Sequence, residues 1–311
     1  MYYKKPMRIV ISEKAGFCQG VKRALDLAYQ EATQSSEPVY TLGPLVHNDQ
    51  VISYLEDLGI EHIESVEEVP PSSHIIIRSH GVGPKILEKM KARGLTVIDA
   101  TCIKVRNVQN FAKSLWERGY SLIILGAPDH PEVKAIREYV NDEALVINSL
   151  DEIVDSLYDP VPEKIGLVCQ TTLSHKFFEA AVKEIKKQIP HIEIHHTICG
   201  ATHKRQNEAK KVAEDVDLMI VIGSSFSSNT SKLAELCTEF TTVIRIETQD
   251  EIKEDWFRPN MTVGVTAGAS TPEWIIQQVI RELVRIGEGL DGEIEIINAD
   301  KYIKPVDDTL P

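Results

Sequence analysis

Short runs of aliphatic and β-branched residues alternate along this chain with segments whose apolar residues recur every three or four positions. RIVIS, VYTL, HIIIR, TVID, SLIIL, KIGLVC, DLMIVIG and TVGVTA read as strands. Between them lie helical patterns. In QGVKRALDLA the residues Val21, Ala24, Leu25 and Ala28 fall on one helix face. Strands that alternate with helices predict an α/β fold of parallel sheets joined by right-handed crossovers.

The alternation is organised as a threefold repeat. RIVISEKAGFCQGVKRALDLA, LTVIDATCIKVRNVQNFAKSL and IEIHHTICGATHKRQNEAKKVAE each run from strand through cysteine to helix, with Cys18, Cys102 and Cys199 in matching places. The intervals between successive cysteines are similar. A second strand–loop–helix follows each cysteine unit. Its loop carries Gly and then a polar residue: His47, His130 and Ser227 follow their cysteines at almost the same spacing. A shorter strand with a weak acidic helix comes third. A fourth strand–loop–helix closes each repeat, with His80, Thr171 and Ser270 in its loop. The repeat predicts three similar α/β lobes: 7–96 with Cys18, 97–191 with Cys102 and 192–287 with Cys199. A tail from 288 to 311 without a fourth repeat is expected to pack across the lobes. Ligands of open α/β sheets sit at the carboxyl ends of the strands, where all these polar loop residues lie.

Composition narrows the chemistry. The 311 residues carry 34 Lys and Arg against 47 Asp and Glu, a net charge of −13, which argues against non-specific nucleic-acid binding. No stretch approaches the length of a membrane span and no signal-peptide core is present, so a cytoplasmic protein is expected. The five cysteines are odd in number and far apart, a poor disulfide framework. No CxxC occurs, and three thiols on three lobes are too dispersed for a zinc knuckle. Soft thiolate sites hold zinc or iron–sulfur clusters. Three thiolates leave one iron of a four-iron cluster open, and that iron can bind a substrate oxygen and pass electrons. Cys169 and Cys237 fall outside the register and read as packing residues.

His47, Asn48, His80, His130, Ser227, Ser228, Asn229 and Ser270 are neutral or weakly basic donors near helix starts, a setting that attracts phosphates. Taken singly, each Ser is better explained as a helix cap, but the set at the active ends of several strands favours binding. Glu132, two residues past His130, is either a favourable first-turn charge or a proton donor. A reductase, a cluster-dependent hydro-lyase, an iron–sulfur sensor and a structural protein with buried thiols all remain open at this level.

GFCQGVKRA, GPLVHN, SHGV, DATC, GAPDHPEV, QTTLS, GSSFSSN and GVTAGAS together resemble the 4-hydroxy-3-methylbut-2-enyl diphosphate reductases, which act last in the methylerythritol phosphate route to isoprenoids. The resemblance spans residues 16 to 272. It implies a trefoil of three lobes around a [4Fe–4S] cluster held by Cys18, Cys102 and Cys199. It implies that His47, His80, Ser227, Ser228, Asn229 and Ser270 bind the diphosphate. Glu132 would transfer protons, Thr171 would order Glu132 and the substrate hydroxyl, and His130 would line the pocket. The implied reaction removes the allylic hydroxyl with two electrons from ferredoxin or flavodoxin and two protons. The segment after Cys199 departs from the family pattern at Gly200, His203 and Lys204.

Overall fold

The computed structural model describes residues 6–156, 161–290, 293–298, 300 and 302. In chain order the elements are β1 (Met7–Ile11), α1 (Gln19–Gln34), β2 (Val39–Leu42), α2 (Asp49–Asp57), β3 (Ile60–Ile63), β4 (His74–Ile77), α3 (Pro84–Ala92), β5 (Thr96–Asp99) and α4 (Ile103–Glu117). They continue with β6 (Ser121–Leu125), α5 (Pro131–Glu138), β7 (Leu145–Ile147), α6 (Leu150–Ser156), β8 (Ile165–Cys169), α7 (His175–Gln188), β9 (Ile192–Ile194) and α8 (Gly200–Glu214). The last are β10 (Leu218–Ile222), α9 (Ser228–Cys237), β11 (Thr242–Ile246), β12 (Thr262–Ala267), α10 (Glu273–Gly289) and β13 (Ile294–Ile297). 3-10 turns stand where the weak acidic helix was expected in two of the repeats, one at Val66–Glu68 in the first and two at Gln249–Glu251 and Glu254–Trp256 in the third.

The strands form three sheets, and every pairing among the described residues is parallel. Their orders are β11-β10-β12-β1-β13, β3-β2-β4-β5 and β7-β6-β8-β9. The three parallel sheets expected from the repeat are therefore present, but the strands are shared out with an offset of one. The sequence units at 97 and 192 begin with the strand that leads into a cysteine. In the structure that strand pairs with the fourth strand of the preceding unit: β5 with β4, and β9 with β8. β1 closes the cycle beside β12, near the other end of the chain. The reason lies in the crossover. A strand, a helix and the next strand form one right-handed unit in one sheet, so α3 and α7 deliver β5 and β9 to the sheet they have just left.

The described part of the tail adds a strand. Its alternating IEII forms β13, which extends the first sheet alongside β1 with Met7 opposite Ile294. Tyr302 is buried and donates its hydroxyl to the Ala15 carbonyl at 3.0 Å. Positions 291, 292, 299, 301 and 303–311 of that tail lie outside the described residues.

The described residues group into two compact units. The first draws on Met1–Gln19, His47–Val51 and Ala201–Pro311, the second on Gly20–Val46 and Ile52–Gly200. In the first unit the period of two along the strands divides the core between two faces. Ile9, Ile11, Ile220, Ile222, Val263 and Val265 pack with α10 on one side. Val10, Met219 and Val221 pack with Ala209 and Val212 of α8 and Leu233 of α9 on the other. The second unit repeats the plan around β6 and β8. Ile123, Leu125, Ile165 and Leu167 meet α7, while Leu122, Ile124 and Val168 meet α4 and α5. Burying each such side chain is worth about 1.5–3 kcal/mol. With both faces covered, only the strand ends remain open for chemistry. Val21, Ala24, Leu25 and Ala28 are the buried residues of α1, as its periodicity requires.

Candidate functional site

Each in-register cysteine stands between the carboxyl end of a strand and the first turn of a helix: Cys18 before α1, Cys102 before α4 and Cys199 before α8. The backbone N–H of each donates to a carbonyl in the loop of a fourth-strand unit. Cys18 N reaches Ala269 O at 3.3 Å, Cys102 N reaches Ser79 O at 3.0 Å and Cys199 N reaches Thr171 O at 2.9 Å. These acceptors are, or directly precede, Ser270, His80 and Thr171. The strand pairing thus sets each cysteine beside a polar loop residue remote from it in sequence. For Cys102 and Cys199 a whole helix and strand intervene, and for Cys18 the partner lies in the last part of the chain. All three cysteines are half-buried, and none is in a disulfide.

Cys169 and Cys237 differ. Cys169 is fully buried under α7, its N–H donates to Thr197 Oγ1 at 2.8 Å, and burial pushes its thiol up to about 11. Cys237 packs α9 onto its sheet, and burial pushes its thiol up to about 12. Both are packing residues, as their sequence context indicates.

In the second unit the turn after β6 carries the acid. Pro131 opens α5, His130 caps it, and Glu132 sits in its first turn. The Glu132 N–H donates to His130 Nδ1 at 3.2 Å, so Nδ1 is the acceptor and the neutral ring carries its proton on Nε2. The His80 ring meets the His130 ring edge-on, with centroids 5.4 Å apart. The Glu132 side chain is buried, with two donors from one residue. Thr171 N reaches Oε1 at 2.7 Å, and Thr171 Oγ1 reaches Oε2 at 2.8 Å. Burial pushes the Glu132 carboxyl up to about 7, and the two Thr171 hydrogen bonds hold it from rising further. A carboxyl poised near neutrality can give up a proton at physiological pH.

In the first unit the loops after β10 and β12 and the segment around His47 carry neutral donors. Ser227 caps α9, accepting from Thr230 N at 3.3 Å, and Ser228 opens the helix. Gly223 makes the turn after β10 with φ of +143°, and a Cβ there would lie 2.7 Å from the hydroxyls of Thr230 and Thr271. The loop after β12 lies against the same turn, since a Cβ on Gly268 would lie 2.2 Å from Thr230 Oγ1. Ser270 Oγ donates to the His47 carbonyl at 3.0 Å, which ties His47 to this loop. Asn48 accepts from Val51 N at 3.0 Å through Oδ1, while its buried Nδ2 has no partner among the described residues. The Nδ2 of buried Asn229 is also without one among the described residues. A buried donor left unmet costs about 1–3 kcal/mol, and a ligand oxygen would offset that cost.

So the structure brings His80, His130, Glu132 and Thr171 together in one unit, and Cys18, His47 and Ser270 in the other with Ser227–Asn229 close by. Sequence reasoning missed what holds the cysteine turns. Arg205 is buried and donates to Lys14 O at 3.0 Å and Gly16 O at 2.7 Å, fixing the Cys18 loop. Around Cys102, Asp99 accepts from Thr101 N at 2.9 Å and pairs with Arg106, and Arg23 donates to the carbonyls of Thr101 and Asp99 at 3.2 Å each. A buried arginine on α8 that reaches back to the loop before α1 has no local sequence signal.

Three parallel α/β sheets, each with a half-buried cysteine where a strand meets a helix, define a thiol-bearing α/β protein with an acid–threonine pair at its strand ends. The chain belongs to the LytB protein family, whose pattern matches residues 9–284. It is 43% identical over 283 residues to the 4-hydroxy-3-methylbut-2-enyl diphosphate reductase of Pelobacter propionicus, covering 91% of this chain and 98% of that one. It is 41% identical over 285 residues to the Aquifex aeolicus protein of the same name, covering 90% and 97%. Among solved structures it resembles (E)-4-hydroxy-3-methyl-but-2-enyl diphosphate reductase, described as the terminal enzyme of the non-mevalonate pathway. The TM-score is 0.67 at 40% identity, covering 90% of this chain and 99% of that one. The Plasmodium falciparum E-1-hydroxy-2-methyl-but-2-enyl-4-diphosphate reductase matches with a TM-score of 0.88 at 30% identity, covering 94% and 92%. No helix among the described residues is long and apolar enough to cross a membrane.

Proposed function

We propose that this protein is a cytoplasmic reductase of 4-hydroxy-3-methylbut-2-enyl diphosphate. The allylic hydroxyl leaves as water, two electrons and two protons enter, and isopentenyl and dimethylallyl diphosphate form. Family membership supplies the reaction. The observation that carries it to this chain's residues is the buried Glu132, held by both donors of Thr171 and pushed up to about 7.

Cys18, Cys102 and Cys199 suit an iron–sulfur cluster. They are the three cysteines of the five that are half-buried rather than sealed in the core, and each precedes a helix whose N-terminus attracts negative charge. When bound, a [4Fe–4S] cluster with three protein thiolates supplies electrons and an iron with an open position that acts as a Lewis acid. The chain's own residues do the rest. Asn229 Nδ2, with Ser227, Ser228, Ser270, His47 and His80, binds the diphosphate through neutral donors and a helix start. No lysine or arginine clamp is needed for this. Glu132 holds the proton that the departing hydroxyl takes. Thr171 Oγ1 fixes the carboxyl and orients the substrate hydroxyl. His130, protonated on Nε2, presents a donor to the pocket and caps the helix that carries Glu132.

Anaerobically purified protein loaded with iron and sulfide is expected to be brown. With dithionite, a viologen mediator and the hydroxy diphosphate it should yield both five-carbon diphosphates. Equal turnover without reductant would replace this reading with a hydro-lyase. A colourless protein that binds zinc tightly in place of iron would remove the cluster.

A further inference from the structure

The residue after each in-register cysteine sets the three turns apart. Gln19 follows Cys18 and Gly200 follows Cys199, but Ile103 follows Cys102. Ile103 is 65% exposed, on the first residue of α4. Phe111 lies on the same face two turns along, also exposed, with its ring against His195 at 4.6 Å. These two apolar side chains sit about 12 Å apart along the helix.

The surroundings are basic in a chain of net charge −13. Lys22 and Arg23 on α1 and Lys104 on α4 are exposed. Arg23 is tied to this turn by its bonds to the Thr101 and Asp99 carbonyls, partners that leave its charge uncompensated. The Asp99 carboxylate is taken by Arg106, which also donates to Gln109 Oε1 at 2.9 Å and Tyr139 Oη at 3.0 Å. On α1, Asp26 is an exposed acidic residue one turn after Lys22. The balance of Lys22, Arg23 and Lys104 against Asp26 is positive. The turn beneath is rigid: Cys102 N, Thr101 N and Thr101 O are all hydrogen-bonded. A rigid apolar anchor inside a basic rim loses little entropy on docking and steers a partner of opposite charge.

We infer that the start of α4, with Ile103 as anchor and Lys22, Arg23 and Lys104 as rim, docks an acidic one-electron carrier protein that delivers electrons by way of Cys102. The inference rests on the proposed reductase reading and adds the place of electron entry. Each docking oxidises one reduced carrier by one electron, which the cluster proposed at Cys18, Cys102 and Cys199 would accept, and two dockings match the two electrons of one turnover. The two protons come separately, from the Glu132 side and from solvent.

The test uses the cluster-loaded protein with flavodoxin as carrier. Lys22→Glu with Lys104→Glu should weaken calorimetric binding of oxidised flavodoxin about tenfold or more at low salt. It should lower kcat/KM for reduced flavodoxin by a similar factor and flatten its salt dependence. Turnover with saturating chemical reductant should not change. The milder Lys22→Gln with Lys104→Gln should fall between. Unchanged flavodoxin binding in the charge-reversed protein overturns the inference. So does an equal loss on reversing Lys183 and Lys186 of α7, or a parallel loss with chemical reductant. Absence of reductant-driven turnover in the unaltered loaded protein instead removes the reductase reading, while the binding measurement still judges the docking surface.

Discussion

Each compact unit buries a polar group that the proposed function uses, and the two groups are met differently. The second buries an acid and meets it: Glu132 receives both donors of Thr171, and the leftover cost of burial shows as a carboxyl pushed up to about 7. In the first, Asn48 and Asn229 are buried and each has an Nδ2 without a partner among the described residues, as Gln109 Nε2 has in the second. A met acid near neutrality stores a proton. Unmet donors beside a helix start await oxygens. Under the proposed function this contrast would divide Glu132, as holder of a proton, from Asn229, as part of the anion site.

That division can be broken in several ways, of unequal size. Replacing Cys199 by Ser should abolish the brown colour and all turnover. Cys237→Ser puts a hydroxyl into the α9 core and should cost only about 1–3 kcal/mol of stability, with colour kept. Thermal melts and visible absorption read the two outcomes apart. Equal bleaching by both would erase the distinction between in-register and packing cysteines.

Glu132→Gln comes next. It should keep the colour and lower kcat at least about 100-fold, the usual share of a proton donor. The same variant tests the burial of the acid. The folded protein holds the Glu132 proton more tightly than the unfolded chain does, so stability declines as pH rises from 4.5 to about 7. The glutamine should remove that slope, worth about 3 kcal/mol at about 1.36 kcal/mol per pH unit. A pH-stability curve with its slope intact would place the buried titration elsewhere.

Asn229→Ala should raise KM for the diphosphate about tenfold with little change in melting temperature, because the amide that disappears is unmet in the protein alone. A large loss of stability with KM unchanged would make Asn229 structural. The smallest effect belongs to Thr171→Val. If Glu132 supplies the proton as proposed, turnover should fall as pH rises through about 7. Thr171 lowers that value, so losing its hydroxyl should move the limb to higher pH. A shift to lower pH would contradict the assigned hydrogen bond.

Much of this arrangement is legible in the sequence because it is local. The face of α1, the packing roles of Cys169 and Cys237, and the place of His47, His80, His130, Thr171, Ser227 and Ser270 after strand ends all follow from periodicity and turn chemistry within single strand–loop–helix segments. The near-even spacing of the three cysteines made the threefold plan visible before any geometry. The proximity of Thr171 to Glu132 is less local. It is legible only through the family resemblance, since β7 and β8 lie between them in the chain.

The sequence alone determined the number of sheets, their parallel sense and which residues lie at their open ends, because strand and helix periods act over a few residues. Tertiary structure decided which sheet each cysteine strand joins. A hydrophobic strand fits either neighbour by composition, and only crossover handedness and ladder hydrogen bonds choose between them. That choice sets Cys18 N on Ala269, Cys102 N on Ser79 and Cys199 N on Thr171. It also lets β1 close a sheet built from the last third of the chain. The pKa of Glu132 is likewise a tertiary fact, since no spacing of residues reveals how completely a carboxyl is shut away from water.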